Sequence, residues 1–372
     1  MRLFFIILSQ FLSGSIWFAA NVAYMGQGFL LSAIQFGFII GTLAFAFLNI
    51  SDRFSPARVF FLSALLGAVF NFSGIFLETH KSVLLMSRML CGVSLAGIYP
   101  VGMKIAASWY PQTISRALGW LVGALVLAAG FPYLIKALNW QGNIGSILQV
   151  TSVLCLTGGL IQLFLVGDGP HLPKGSKFDL GVIKDIFRHP GFRAASFGYF
   201  GHMWELYAVF AYIPLLFGTI VKTNVELWTF GFFIFGFLGC AVGGIIALRV
   251  GSRKIALVVL FMSGSICLVS PFLQNLPQGI ALIIIQIWGV TVVADSPQFS
   301  SLNTQFAPRK YVGSALTIVN CIGFLITIIT IELLSLWINW FGVRTAFLPL
   351  VIGPIFGWIS LRAYPCQHRK TA

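Results

Sequence analysis

Long apolar runs alternate with short charged or turn-rich breaks along almost the whole chain. They lie at 3–24, 33–50, 58–77, 82–107, 116–138 and 145–166, then at 191–217, 226–248, 254–273, 278–306, 312–336 and 343–363. A helix needs about 20 apolar residues to cross the hydrocarbon core of a bilayer, so the pattern predicts an all-α integral membrane protein with twelve transmembrane helices. The stretch 167–190 is the one long polar connection. It predicts a six-helix bundle over 1–166, a cytoplasmic linker over 167–190, and a second six-helix bundle over 191–372 that ends in a short tail. Within the linker, Phe178, Val182, Ile183, Ile186 and Phe187 recur at helical spacing, opposed by Asp179, Lys184, Asp185 and Arg188. That spacing describes a short amphipathic helix on the membrane surface; an unstructured linker is the alternative.

Composition excludes the soluble classes. With 58% hydrophobic and 9% charged residues over 372 positions, there is too little polar surface to cover soluble domains of that size. The net charge of +14 does not point to nucleic acid, because the 23 Lys and Arg residues are scattered between apolar runs. They read as topology signals. With both termini inside, only Lys81, Lys136, Lys222 and Arg344 fall outside, Arg88 and Lys104 fall within spans, and the rest fall in cytoplasmic segments. This topology, with its short loops, suits a bacterial cytoplasmic (inner) membrane. Arg2 followed by Leu3 to Leu8 resembles a signal peptide with Ala19-Ala20 as cleavage region, but the apolar run continues to Tyr24 and the topology needs it as a span. No Cys-x-x-Cys pair, metal spacing or phosphate-cradling Gly-rich loop occurs in the sequence, so no metal, cofactor or nucleotide is expected.

Candidate chemistry centres on Gly198-Tyr-Phe-Gly-His-Met-Trp-Glu-Leu-Tyr207 in the seventh run. His202 and Glu205 are three residues apart and share a helix face, with Trp204 and Tyr207 beside them. An ionised carboxylate at mid-span costs roughly 2.5 to 3.5 kcal/mol. Glu205 is therefore either a proton or substrate site facing a watery cavity, or a carboxylate protonated or paired for packing. Histidine changes charge near neutral pH, which would let His202 tune such a site. In the tenth run, Asp295 lies two helical turns from Trp288. It is either a gate or cavity acid or the mark of an early helix end before Pro297. Glu332 is expected at the outer interface. Trp17 and Asn21, four apart, suit a cavity wall or helix packing. Pro100 predicts a bend in the fourth span, and Gly119 and Gly123 predict close helix contact in the fifth.

The turns after the second span of each half are Leu48-Asn-Ile-Ser-Asp52-Arg53-Phe-Ser-Pro-Ala-Arg58 and Gly244-Ile-Ile-Ala-Leu248-Arg249-Val-Gly251-Ser-Arg253-Lys254. Both resemble the Gly-x-x-x-Asp-Arg-x-Gly-Arg-Lys signature loop of the major facilitator superfamily. The first copy has Leu48 and Ser55 where glycines belong; the second has Leu248 in place of the acid. Arg88-Met-Leu-Cys-Gly92 is similar to the family's Arg-x-x-x-Gly element, which in relatives is tied to proton coupling or to helix packing. Ala124 stands where many antiporters of the family have a proline. The resemblance implies two bundles related by pseudo-twofold symmetry that rock about a central site, with the signature loops latching the cytoplasmic gate.

The expectation is a secondary active transporter, not an enzyme, moving a small solute by proton-coupled symport, monomeric in the lipid bilayer and with no nucleic-acid partner. A proton-driven efflux antiporter is the alternative. From other classes, the membrane subunit of a multi-protein complex and a membrane-embedded enzyme stay open.

Overall fold

The computed structural model describes residues 1–24, 28–77, 80–138, 144–172, 183–307 and 312–363, with the backbone alone at Ser51, Asp52 and Ile144. Every regular element among them is helical, as burial in lipid requires of backbone groups with no water to bond. The order is α1 (Arg2–Gly14), α2 (Ala19–Ala23), α3 (Gly28–Phe47), α4 (Ile50–Arg53), α5 (Pro56–Ser73), α6 (Lys81–Leu95), α7 (Tyr99–Trp109), α8 (Ile114–Ala137) and α9 (Ile144–Ile161). The short α10 (Ile183–Arg188) precedes α11 (Pro190–Ile220), α12 (Val225–Val250), α13 (Ser252–Val269), α14 (Gln278–Thr291), α15 (Ser296–Phe306), α16 (Val312–Phe341) and α17 (Ile352–Ala363). Of the linker helix predicted from sequence, Ile183–Arg188 is helical with Ile186 buried, while Phe178, Asp179 and Val182 lie outside the described residues.

Among the described residues, eleven segments are long and apolar enough to cross a membrane. The expected first span, 3–24, is instead divided into α1, a turn over 15–18, and α2. The cause is local: Trp17 N–H bonds back to Gly14 O at 3.0 Å, a three-residue reach that tightens the helix, and the Ser15 hydroxyl donates to Leu12 O and Thr151 O. Two further crossings break in the same manner. Between α6 and α7, Gly97 N–H bonds Ser94 O and Ile98 N–H bonds Leu95 O, just before Pro100, which has no N–H to give. Between α14 and α15, Ser296 N–H bonds Val293 O, just before Pro297.

Helix packing places the site. In the first half of the chain, α3 packs on α6, α5 on α9, and α1 on both α8 and α9; in the second, α11 packs on α16 and α17, and α12 on α14. Two long seams join the halves, α8 along α12 and α3 along α16. The first seam depends on glycine: a Cβ added to Gly119 would come within 2.9 Å of Cys240 O and 3.1 Å of the Gly244 Cα. Close backbone approach of this kind is what small residues provide where lipid gives helices no hydrophobic drive to associate.

Candidate functional site

Between the halves lies a cavity of about 40 Å³, walled by residues of both. Trp17 and Phe18 enter it from the turn between α1 and α2, Tyr99 from the start of α7, and Val122, Leu125, Val126 and Ala129 from α8. From the second half come Tyr199, Met203, Leu206, Tyr207 and Phe210 of α11, Val293 and Ser296 at the α14–α15 break, Ser300, and Asn320 and Phe324 of α16. Every broken crossing thus presents its break to this space. The volume admits only a few waters, because aromatic rings fill the centre. Trp17 stacks on Tyr207 at 5.9 Å and on Phe324 at 5.8 Å, and Phe18 lies parallel to Tyr207 at 6.3 Å. These contacts cross from one half to the other. The polar members Tyr99, Tyr199, Ser296, Ser300 and Asn320 lie on one side of the stack, toward the end of the helices that carries Trp109, Pro190, Phe306 and Val312. Trp17 is buried, and its indole N–H has no partner among the described residues.

Of the expected cavity residues, Trp17 and Tyr207 line this space, whereas His202, Glu205, Asp295, Arg88, Trp204 and Asn21 do not. The reason for His202 and Glu205 is helical phase. Tyr199, Met203, Leu206 and Phe210 recur at three- and four-residue steps along the cavity face of α11, and Glu205 falls nearly opposite them, toward α13 and α14. There its Oε1 accepts from Ser263 Oγ at 2.5 Å, Trp288 Nε1 at 3.0 Å and, more weakly, Cys267 Sγ at 3.3 Å. Trp288 Nε1 also reaches Ser263 Oγ at 3.0 Å. His202, at an intermediate phase, meets Asp295: Nδ1 and Oδ1 are 2.9 Å apart, a charge contact without hydrogen-bond alignment, and both side chains are buried. His202 Nε2 has no partner. The Tyr199 ring, which lines the cavity, is 6.1 Å from the imidazole. Asp295 therefore stands at the helix break before Pro297, one of the two alternatives the sequence left open, and contacts a buried histidine without lining the cavity.

Trp204 points away, donating its indole N–H to Pro349 O at 3.3 Å beside α16 and α17. Asn21 is buried, with neither amide atom partnered among the described residues. Arg88 lies in packing between α5, α6 and α9. Its guanidinium donates to Asn71 Oδ1 and Phe70 O at 2.9 Å each and to Asn71 O at 3.3 Å, and Asn71 Nδ2 in turn donates to Leu148 O, Thr151 Oγ1 and Ser152 Oγ. Ser263, Cys267 and Asn71 were missed in the sequence. A lone amide in an apolar span was the available signal for Asn71, and a serine in a helix gives none.

The signature-like turns differ in detail from expectation. The first makes its sharp bend at Asn49, beside Leu48, in the left-handed conformation (φ 51°), whereas the second bends at Gly251 (φ 86°), the position that Ser55 takes in the first. Arg53 ends α4 and Arg58 lies in the first turn of α5; Ser55 Oγ accepts from Arg58 N–H, and Asp168 Oδ1 accepts from Ala57 N–H at 2.8 Å, so an acid from beyond α9 caps this turn. The Asp52 side chain lies outside the described residues. In the second copy, Gly244 and Arg249 belong to α12 itself. Arg253 donates to Leu361 O and Arg362 O at the end of α17, and Lys254 is exposed. At the opposite end of the helices, Glu332 accepts from Ser32 Oγ at 2.6 Å and Lys136 meets Glu226 at 3.3 Å, two further links between the halves.

A stretch of 145 residues is 29% identical to a protein of Haemophilus influenzae described as "Putative metabolite transport protein". The match takes in 37% of this chain and 35% of that relative, so the chain spans about a third of the length of the curated relative it matches. The family model of the Major Facilitator Superfamily matches residues 3–331, nearly the whole chain. With its apolar helices and an interior cavity between its halves, this chain belongs to the Major Facilitator Superfamily.

Proposed function

We propose that the protein carries a small, uncharged, amphipathic organic solute by alternating access, and that protons drive it in symport. The observation that carries this reading is the cavity walled by residues of both sequence halves. Parting the aromatic rings on one side or the other would expose it alternately to the two faces of the membrane. In this reading the chain crosses twelve times, with Arg2–Ala23 as the first crossing, in bundles 1–166 and 191–372 joined by 167–190. The recurrence of a break in the fourth crossing of each half, at 96–98 and 292–295, supports an internal repeat, as does a left-handed residue after the second crossing of each. The basic ends, with both termini, face the cytoplasm of a bacterial inner membrane, and the protein acts as a monomer.

The substrate class follows from the wall. Its polar groups are phenols, an indole, hydroxyls and an amide, with no charged side chain among the described lining residues. An anionic solute would leave its charge unmatched there, while a solute with one flat apolar face and a few hydrogen-bonding groups matches the rings. Proton coupling is assigned to His202 and Asp295. They are buried together, with the imidazole 6.1 Å from the cavity-lining Tyr199 ring, so a proton gained or lost by the pair would change the charge near the cavity wall. Glu205 is one layer further from the solute.

The test is transport in proteoliposomes under an imposed pH gradient, with a mixed solute library followed by mass spectrometry. Wild-type protein should concentrate a solute, Asp295→Asn should exchange it without concentrating it, and Glu205→Gln should fall between. Equal accumulation by all three would remove the coupling assignment. Accumulation driven only by the opposite gradient would assign antiport, and movement of no solute at all would sink the transporter reading.

A further inference from the structure

A groove on the second half of the chain lies outside the cavity and its chemistry. Leu238, Val242, Ile246 and Val250, at four-residue steps on α12, form one wall. Ile255, Val258 and Val259 of α13 form the other, and Val290 and Ala294 form the floor. The floor is close because α12 has no side chain at Gly239, where a Cβ would come within 2.6 Å of Val290 O. The space is about 540 Å³, and Lys254 is the one charged side chain lining it. From Leu238 to Val250 the groove follows twelve residues of helix, roughly 18 Å at about 1.5 Å per residue. That is close to one leaflet's share of a hydrocarbon core about 30 Å thick.

Charge marks one end of the groove. Arg249, Arg253 and Lys254 cluster at the turn, and Leu248 stands where the first signature-like turn has Asp52. Arg253 is committed to the carbonyls of Leu361 and Arg362, whereas Arg249 and Lys254 are exposed and no described Asp or Glu pairs with either. An apolar slot one leaflet deep, rimmed by two unneutralised cations, matches a molecule with a hydrocarbon chain and an anionic head.

We propose that the groove between α12 and α13 is a binding site for an anionic phospholipid. One acyl chain lies along Val242, Ile246 and Val258, and the headgroup phosphate is held by Lys254 and Arg249. Cations beside a membrane surface attract anionic lipid at short range, and the groove supplies the chain contacts that a free phosphate cannot use. In a chain that must repack α12 against α8 during transport, a lipid seated on the far side of α12 would bear on that seam.

The experiment uses the purified full-length protein in detergent, with lipid retention read by native mass spectrometry and melting read with added phosphatidylglycerol, phosphatidylcholine or glycerol 3-phosphate. Phosphatidylglycerol should be retained in preference to phosphatidylcholine and should raise the melting temperature; glycerol 3-phosphate should not. Lys254→Gln should weaken phosphatidylglycerol retention about fivefold, the worth of one cation beside an anionic lipid, and adding Arg249→Gln about fivefold more. Val258→Trp, which fills the slot and leaves the charge in place, should lose retention as well. Its own melting curve without lipid establishes that it folds. Equal retention of the two phospholipids, or preference surviving both the charge and the filling variants, would mean bulk annular lipid only and overturn the site. A full effect of glycerol 3-phosphate would overturn it in favour of a simple anion site.

Discussion

Arg88 in the first half and the His202–Asp295 pair in the second are both ionisable chemistry removed from water, but they are solvated in opposite ways. Arg88 is bonded to neutral acceptors, the carbonyls of Phe70 and Asn71 and the Asn71 amide, and no acid faces it among the described residues. Its charge is spread over backbone and side-chain dipoles that are themselves anchored on α9. His202 and Asp295 instead face each other, acid against imidazole; one ring nitrogen, like Arg88 Nε, has no partner among the described residues. A guanidinium cannot shed its proton, so the first arrangement serves to pin helices. The second sets an acid against an imidazole, which lies 6.1 Å from a ring that lines the cavity. Burial alone does not make an ionisable residue part of the transport chemistry; its partners decide.

The comparison is tested first at Arg88. Replacing it by Ala should cost about 3–5 kcal/mol of stability, because orphaned buried acceptors cost about 1–3 kcal/mol each and the emptied volume adds to that. Lys should restore only part, since it cannot reproduce the fork of donors. Thermal melting of the purified protein reads this, and if Arg88→Ala melted like wild type while losing only coupling, the assignment of roles to the two halves would be reversed. Trp288→Phe should come next, at about 1–3 kcal/mol, by removing a donor that serves both Glu205 and Ser263. A double-mutant cycle with Glu205→Gln should show coupling between the two positions, and strict additivity would mean that the hydrogen bond contributes nothing. Asp295→Asn should change stability less than either and change concentrative transport more, the inverse of Arg88→Ala. The smallest effect is expected for Ser32→Ala. Its bond to Glu332 is exposed, so melting should move by less than about 1 kcal/mol, while cysteine accessibility on that side of the cavity should rise as the link between α3 and α16 is removed.

Much of the fold could be read from the sequence because lipid imposes a simple rule on it: each crossing is a long apolar run, and eleven of the runs are found as such. The division of the first run was not legible, because the hydrogen-bond slip at Ser15 leaves no hydropathic mark, as serine is tolerated in both helix and turn. Pro100 and Pro297 announced the other two breaks in advance. The site was less legible. A three-residue spacing places His202 and Glu205 on one face of α11, but it cannot say that one meets α15 and the other α13, because the neighbours are set by tertiary packing. Nor could the sequence tell the phenylalanines at the centre, such as Phe18, Phe210 and Phe324, from those facing lipid.

The three slips at 15–18, 96–98 and 292–295 also bear on how the backbone breathes. At each, the ladder changes from four-residue to three-residue reach, so the amides there should open at lower free energy than those of the helices on either side. In hydrogen–deuterium exchange these short stretches should take up label ahead of their flanks. Since all three border the cavity, the earliest label would trace the outline of the solute's chamber from within.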